Sequence, residues 1–431
     1  MQTVKNEVKV GLIGMGTVGS GVIKIFQAHR EDFKTKLGVD LVLAKAVDRD
    51  LSRAETLGLT PDMVSSDLSF IIDDPEIDIV VELIGGINPA KDFVLRALNA
   101  GKNVVTANKA LMATHGKEVM EAAEANNVDI EFEASVGGGI PIVHPLKESL
   151  AGNAVSKVIG IVNGTTNFIL TEMSERGIAF EEALAEAQRR GYAEADPTAD
   201  VDGLDAAAKI AILASIAFNS RTTADKVFTE GIRKITPSDI SFAQNMGYSI
   251  KLLAIAARTS EGIDVRVHPT MIPISHPLAA VNGVYNAIYV VGDAVGDVMF
   301  YGQGAGSLPA ASAVVGDIIY VARRVAAGHP RLIGCTCFFD IPVRDHLETK
   351  TKYYVRMIVA DKPGVLATIA KTFGDNNVSI ESVLQKETSE MGAELVFVTH
   401  LVLEKNLQKA LTGIEQLEVV SEIANVIRVE G

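Results

Sequence analysis

A glycine-rich stretch lies near the start of the chain, between a run of β-branched residues and a helical pattern. Its glycines, Gly14, Gly16 and Gly19, follow the spacing Gly-x-Gly-x-x-Gly. Between a strand and a helix, the first glycine permits a tight turn, the second lets the backbone approach a pyrophosphate, and the third lets helix and strand pack closely. The free N–H groups at the helix start, around Thr17 and Val18, then face the phosphates. The stretch therefore predicts a dinucleotide site.

The first ~130 residues alternate between short β-branched runs and helical patterns. The predicted strands are 8–13, 41–47, 77–83, 103–106 and 129–133, and the predicted helices are 18–28, extended by a polar segment to residue 38, 89–100 and 117–125. Such alternation is typical of a parallel sheet with right-handed crossovers. We therefore expect an α/β fold with a Rossmann-type domain over residues 1–135. A long helix that begins with Pro309 and runs to about residue 328 should complete this domain.

The rest of the chain divides into two further parts. Residues 136–308 mix helices and strands and predict an α+β domain, for which the resemblance of its motifs to a known family implies substrate binding and dimerisation. Residues 329–352 resemble a connection. The tail over 350–431 gives the order strand, helix, strand, strand, helix, strand, which is that of a ferredoxin-like βαββαβ domain.

The composition excludes several classes of partner. The 431-residue chain has a net charge of −14, which argues against nucleic acid and against an anionic membrane surface. Apolar runs long enough for a membrane span are missing, and so is a signal-peptide pattern, so we expect a cytoplasmic enzyme. Two cysteines, Cys335 and Cys337, fit a reducing compartment; we expect them to be small residues in a strand rather than a disulfide framework or a metal site.

The second predicted strand ends in an acidic and a basic residue. Asp48 is placed to bind the ribose 2′-hydroxyl of NAD, whereas Arg49 can hold the 2′-phosphate of NADP. Alternatively, Arg49 is a solvated surface arginine that binds no cofactor. The sequence therefore leaves NAD and NADP both open as cofactors.

Two lysines are candidates for chemistry. Lys109 follows a strand end, where open α/β sheets bind ligands, although a surface lysine is an equal alternative. Lys209 lies one helical turn after Asp205 among small and apolar residues, a setting suited to proton transfer; an exposed ion pair is the alternative. Carboxylates just upstream, including Glu194, can bind an ammonium group, bind a metal or cap a helix, although the lack of a histidine argues against a transition metal.

These motifs follow the order found in homoserine dehydrogenases, and residues ~5 to ~340 resemble that family. The matching segments are Gly11 to Gly19, Thr106 to Lys109, Glu133 to Pro141, Asn163 to Asn167, Gly191 to Lys209 and Gly302 to Gly306. The tail from Tyr353 resembles an ACT domain, with Asp361 to Leu366 as its first strand–helix turn.

The resemblance implies roles for individual residues. Lys209 matches the family's general acid/base and Lys109 its second site lysine, while Glu194 and Asp205 match positions that bind the substrate's amino and hydroxyl ends. It also implies a cofactor site and a sodium site. The cofactor positions are Gly14, Gly16, Thr17, Val18, Gly19, Asp48, Arg49, Thr106, Lys109, Gly191 and Gly304, and the sodium positions are Glu133, Val136, Gly138 and Ile140.

The implied reaction is reversible hydride transfer between L-homoserine and L-aspartate 4-semialdehyde, on the route to threonine, methionine and isoleucine. The ACT resemblance implies an amino-acid effector, with threonine the natural candidate, and a homodimer or homotetramer; a dimerisation module without ligand is the alternative. Two other functions remain open: a semialdehyde dehydrogenase, which needs a catalytic cysteine, and a non-catalytic sensor of NAD(P) and amino acids.

Overall fold

The computed structural model describes residues 5–329, 334–389 and 392–430. The elements up to residue 131 are β1 (Glu7–Ile13), α1 (Thr17–Leu37), β2 (Asp40–Val47), β3 (Val64–Ser65), α2 (Ser69–Ile72), β4 (Ile79–Glu82), α3 (Ala90–Asn99), β5 (Asn103–Thr106), α4 (Lys109–Ala125) and β6 (Ile130–Glu131). The elements of the middle segment are β7 (Val155–Ile161), α5 (Gly164–Arg176), α6 (Phe180–Arg189), α7 (Thr198–Val201), α8 (Leu204–Ala217), β8 (Phe228–Thr229), α9 (Pro237–Asn245), β9 (Tyr248–Thr259), β10 (Gly262–Pro273), β11 (Tyr285–Gly292), β12 (Gly296–Gln303) and α10 (Ser307–Ala327). The elements of the tail are β13 (Lys350–Val359), α11 (Val365–Asp375), β14 (Ile380–Ser389), β15 (Gly392–Thr399), β16 (Val402–Leu403), α12 (Glu404–Glu415) and β17 (Val420–Val429).

The chain forms two compact units. The first contains the described residues of 1–158, 208–226 and 286–341, and the second those of 159–207, 227–285 and 342–431. In the part of the chain that the structure describes, every helix is too short or too polar to cross a lipid bilayer.

The first unit is built on a parallel sheet in the order β3-β2-β1-β4-β5-β6. The strand order reverses between β1 and β4, which creates the crevice where open α/β sheets bind ligands. α10 packs with α1 against this sheet, and Leu12, Val22 and Ile318 share one core. The α/β fold and the parallel Rossmann-type sheet are thus confirmed, as is the extension of α1, which ends at Leu37 before a left-handed Gly38.

Several element boundaries differ from the prediction. α4 begins at Lys109 rather than at residue 117, because the Asn108 side chain caps it by accepting the Leu111 N–H at 3.1 Å. α10 begins at Ser307, so Pro309 is its third residue rather than its first; proline is tolerated there because N–H groups of the first turn have no intrahelical acceptor. Cys335 and Cys337 lie outside any strand, so their prediction was wrong.

The second unit contains a mixed sheet in the order β9-β10-β17-β13-β15-β14. Its last four strands, with α11 and α12, form the predicted βαββαβ tail, whose core includes Tyr353, Phe373 and Phe397. β17 pairs with β13 on one side and runs parallel to β10 on the other, with Thr270 opposite Arg428. The tail is therefore part of a continuous sheet rather than a tethered module.

A buried ion pair fastens β13 to α9. The Asp239 carboxylate is fully buried and accepts the Arg356 Nε at 2.7 Å, the Tyr354 hydroxyl at 3.2 Å and the Asn425 amide at 2.8 Å. Asp239 also forms a capping box with Thr236 at the start of α9. Removal of the guanidinium alone would leave a buried carboxylate without its cation, which is the costly way to break such a pair.

We expect Arg356→Met to lower the free energy of unfolding by about 3–5 kcal/mol. The comparison is Arg233→Met, which removes the half-exposed pair with Asp202 and should cost less than about 1 kcal/mol. Urea unfolding followed by circular dichroism measures both. Adding Asp239→Asn to Arg356→Met should recover part of the lost free energy of unfolding. Equal losses in Arg356→Met and Arg233→Met, or additive losses in the double variant, would contradict a coupled pair.

Candidate active site

The glycine loop joins β1 to α1 at the carboxyl edge of the parallel sheet. Gly14 has φ +103°, and a β-carbon there would lie 2.9 Å from the Leu83 backbone. A β-carbon at Gly19 would collide with the Gly14 carbonyl at 1.9 Å, whereas one at Gly16 would touch nothing within 4 Å. Gly14 and Gly19 are therefore needed for the turn and its packing, and Gly16 faces open space. Thr17 and Val18 form the first turn of α1.

A cleft of about 400 Å³ opens beside this loop. It is lined by Gly14, Gly16, Asp48, Arg49 and the segment after β4. Asp48 follows β2, and its two carboxylate oxygens accept the N–H of Met15 at 2.6 Å and that of Asp50 at 3.2 Å. Asp48 thus ties the glycine loop to the end of β2, while Arg49 is exposed at the rim of the cleft.

The ends of β4 and β5 are joined by a buried carboxylate. Glu82 accepts the N–H groups of Ile84 and Gly85 with one oxygen and the Thr106 hydroxyl, at 2.7 Å, with the other. Thr106 is fully buried and in turn accepts the N–H of Asn108. This network fixes the start of α4, where Lys109 is half-buried.

Lys209 lies in the second turn of α8 and is buried. Asp205, one helical turn earlier, is also buried, and its carboxylate accepts the Asn163 amide at 2.9 Å. The same amide group donates to Asp200 at 2.7 Å, and Asn163 also caps α5. Asp205 is therefore oriented by a hydrogen bond, and because both side chains are buried, they do not lie on an exposed helix face.

Two further predicted residues lie after α6. Gly191 adopts φ +74° and is exposed. Glu194 is exposed in the following loop, where its carbonyl accepts the Gln188 amide at 3.0 Å. Tyr192, between them, packs edge-on against Phe168. The Glu194 carboxylate is thus accessible from solvent.

The glycine-rich turn after β6 packs tightly against the loop after β12. A β-carbon at Gly138 would lie 2.3 Å from the Gly304 carbonyl, and one at Gly304 would lie 1.8 Å from the Asn286 amide. The Gly139 N–H donates to the Gln303 carbonyl at 3.1 Å. Glycine at 138 therefore lets its backbone lie against the Gly304 carbonyl, and glycine at 304 leaves room for the Asn286 side chain.

The turn also presents oxygen atoms suited to a hard cation. Val136, Gly138 and Ile140 are buried, and within the described ranges their carbonyls accept no hydrogen bond from the backbone. The Glu133 carboxylate accepts the N–H groups of Ile142, Val143 and His144. These bonds leave lone pairs on its oxygens. Three unpaired carbonyls and one carboxylate fit an alkali cation by the chemistry of their donors.

Comparisons with known proteins agree over the whole chain. Family models match for the homoserine dehydrogenase NAD binding domain at residues 14–133, for homoserine dehydrogenase at 141–319 and for the ACT domain at 353–419. A homoserine dehydrogenase of Synechocystis sp. is 47% identical and spans 98% of this chain and 99% of its own length. The chain belongs to the homoserine dehydrogenase family.

Solved structures of the family show the same fold. A homoserine dehydrogenase from Thiobacillus denitrificans has a TM-score of 0.94 at 44% identity, with 98% of both chains covered. A hyperthermophilic archaeal homoserine dehydrogenase mutant, solved in complex with NADPH, has a TM-score of 0.64 at 29% identity and covers 76% of this chain and 100% of its own. The predicted family, enzyme class and ACT domain are confirmed: the chain is an NAD(P)-dependent oxidoreductase that acts on a CH–OH group.

Sequence reasoning missed three residues of this homoserine dehydrogenase fold. Glu82 carries a local signal, since it is a charge at the end of an apolar strand. Asn163 was seen as part of a motif, but its bonds to Asp200 and Asp205 were not predicted. His144 carries no such signal, because its partner Asp317, at 2.9 Å from Nε2, comes from α10.

The surroundings of His144 are strongly acidic. Burial alone would lower the pKa of His144, but its bond to Asp317 and the nearby Glu131 and Glu133 raise it to about 9. Burial raises the pKa of Glu131 to about 7, against the opposing charge of Lys147. His144 and Lys147 are therefore two positive charges that offset the buried carboxylates beside the glycine-rich turn.

Proposed function

We propose that Lys209 is the general acid/base of homoserine oxidation and that Lys109 polarises the aldehyde oxygen in the reverse direction. The observation that carries the proposal is the burial of Lys209 on α8, one turn after an Asp205 oriented by Asn163. A lysine at this place on α8 can exchange a proton with the substrate oxygen as the hydride is transferred. The nicotinamide, when bound, supplies or accepts the hydride.

The other residue roles follow from the family motifs. We propose that Glu194 binds the substrate's ammonium group and Asp205 its hydroxyl end. The loop Gly14 to Gly19 would hold the pyrophosphate at the start of α1. Thr106, Gly191 and Gly304 would contact the cofactor nearer the nicotinamide.

Lys209→Ala should lower kcat by about 10²–10⁴, the usual contribution of a positioned acid/base. Cofactor affinity, measured by fluorescence titration, should stay near normal because the nucleotide cleft is untouched. The matched control is Lys226→Ala, an exposed lysine outside the site, which should retain full activity. A wild-type kcat for Lys209→Ala in a 340 nm assay with homoserine would remove Lys209 from the mechanism.

We propose that Asp48 and Arg49 allow both cofactors, with a preference for NADP. Arg49 is exposed at the rim of the nucleotide cleft, where its guanidinium can form a fork with a 2′-phosphate. Each Asp48 oxygen accepts one backbone N–H group. Each also keeps a lone pair that can accept a hydrogen bond from a ribose 2′-hydroxyl.

Arg49→Ala should raise KM for NADPH by about tenfold to a hundredfold, the range expected for lost charge-assisted hydrogen bonds, and change KM for NADH little. Arg53→Ala removes an exposed arginine that does not line the cleft and serves as the control. Steady-state kinetics measure KM for NADPH and for NADH in each variant. Equal losses for NADPH and NADH would show that Arg49 does not read the phosphate.

We also propose a sodium ion at the turn formed by Glu133, Val136, Gly138 and Ile140. The unpaired carbonyls support it, and the ion would fix this turn beside the loop that carries Gly304. A homodimer or homotetramer in the cytoplasm is the state we propose for the enzyme.

For regulation we propose that threonine binds the ACT domain near the turn Asp361 to Gly364. Gly364 has φ +91° and precedes α11, whose first N–H groups suit a carboxylate. Deletion of the tail is a poor test, because it would strip β17 from β10 and Arg356 from Asp239. A point change at the exposed start of α11 leaves these contacts intact.

Leu366→Glu places a negative charge at that helix start and should weaken threonine inhibition by about 5–150-fold, the range of common allosteric couplings. Its uninhibited kcat should not change, because Leu366 is exposed. Thr412→Glu adds the same charge on an exposed site of α12 and should leave inhibition as it is. If intact enzyme ignores threonine, or both variants respond alike, the effector does not bind at this turn.

A further inference from the structure

The chain's two cysteines form a dithiol pair beside an arginine. Cys335 and Cys337 are both half-buried in the connection after α10. The Arg221 guanidinium donates to the Cys335 sulfur at 3.1 Å. Cys337 lies 3.7 Å from the Ser215 carbonyl of α8. The two thiols are two residues apart, line one cavity and differ in their partners.

This asymmetry separates the two thiols chemically. The hydrogen bond from Cys337 and the charge of Arg221 lower the pKa of Cys335 to about 5, although burial and Glu124 oppose the shift. The same hydrogen bond and burial raise the pKa of Cys337, with Arg221 and Lys147 acting weakly in the other direction. At neutral pH the pair therefore consists of one thiolate and one thiol. A thiolate is the nucleophilic form of cysteine, and a neighbouring thiol can resolve its oxidised product.

A small cavity reaches the pair. It measures about 30 Å³ and is lined by Cys335, Cys337, Arg221 and Lys147, together with apolar side chains of α4 and α8. A single water needs about 10–15 Å³ by this measure, so the space suits a molecule of two oxygen atoms. Two cations in its wall favour departure of an anionic leaving group.

We propose that Cys335 is a peroxide-reactive site that Cys337 resolves to an intramolecular disulfide. The Cys335 thiolate attacks one oxygen of hydrogen peroxide; the S–O bond forms, the O–O bond breaks, and the hydroxide that leaves takes a proton from solvent to become water. The product is a sulfenic acid at Cys335. The Cys337 sulfur then attacks the Cys335 sulfur, and the S–O bond breaks. Hydroxide leaves with the Cys337 proton as a second water. The dithiol loses two electrons to one peroxide.

The first measurement uses the unmodified full-length protein and iodoacetamide. Alkylation of Cys335, followed by peptide mass spectrometry, should have a nearly constant rate between pH 6 and 8, because the thiolate is already formed. An ordinary thiol with a pKa of about 8.5 would accelerate almost a hundredfold over that range. Such an ordinary profile at Cys335, or faster alkylation of Cys337, would overturn the assignment without any variant.

The second measurement adds one equivalent of hydrogen peroxide. Wild-type protein should lose two free thiols and gain a disulfide within one chain that dithiothreitol reverses. Cys337→Ser should instead accumulate a sulfenic acid that dimedone traps, and Cys335→Ser should react slowly and give neither product.

Arg221→Lys keeps the charge and should oxidise faster than Arg221→Met. A disulfide between two chains, or equal oxidation rates in all variants that retain the wild-type melting temperature, would refute the proposal.

Discussion

Three carboxylates at the carboxyl ends of parallel strands hold the loops from which the site of this enzyme is built. Asp48 binds the N–H of Met15, Glu82 binds those of Ile84 and Gly85, and Glu133 binds three N–H groups of the segment 142–144. A buried carboxylate is costly unless it is hydrogen-bonded, and loop N–H groups are equally costly when they are left unpaired. The carboxylates and the loop N–H groups satisfy each other, and these bonds hold each loop in its conformation.

The sequence predicted those parts of the site whose causes are local. The glycine spacing at 14–19 and the strand ends at Asp48 and Thr106 were predictable, because hydrophobic periodicity and turn-forming residues act over only a few positions. The hydrogen bonds between Glu82 and Thr106 and between Asn163 and Asp205 join residues far apart in sequence, and no local pattern encodes them. The start of α4 was missed because Asn108 acts as a cap, a signal that the preceding strand end obscured. The strand at Cys335 was wrong because that segment is held by side-chain bonds to Arg221 and Ser215 rather than by strand pairing.

The tail shows the same division between local and distant causes. Its βαββαβ order was predictable from periodicity, but the parallel pairing of β17 with β10 was not, because it depends on a strand from another part of the chain. The Arg356–Asp239 pair strengthens this junction, since both groups are buried and each leaves the other unpaired if removed. β13 is therefore joined to α9 directly, by a buried and hydrogen-bonded ion pair.

The first unit depends on a segment that returns to it late in the chain. Residues 286–341 bring Gly304 against Gly138 and bring Asp317 to the N–H of Glu133 and to His144. The returning helix α10 thus fixes both the glycine-rich turn and the loop facing it. The positive charge on His144 offsets the carboxylates that meet there, because Asp317 is fully buried and has no exposure to water. The N-terminal sheet alone therefore supplies the glycine loop at 14–19, whereas the turn at 137–139 is held in place only when the late segment packs against it.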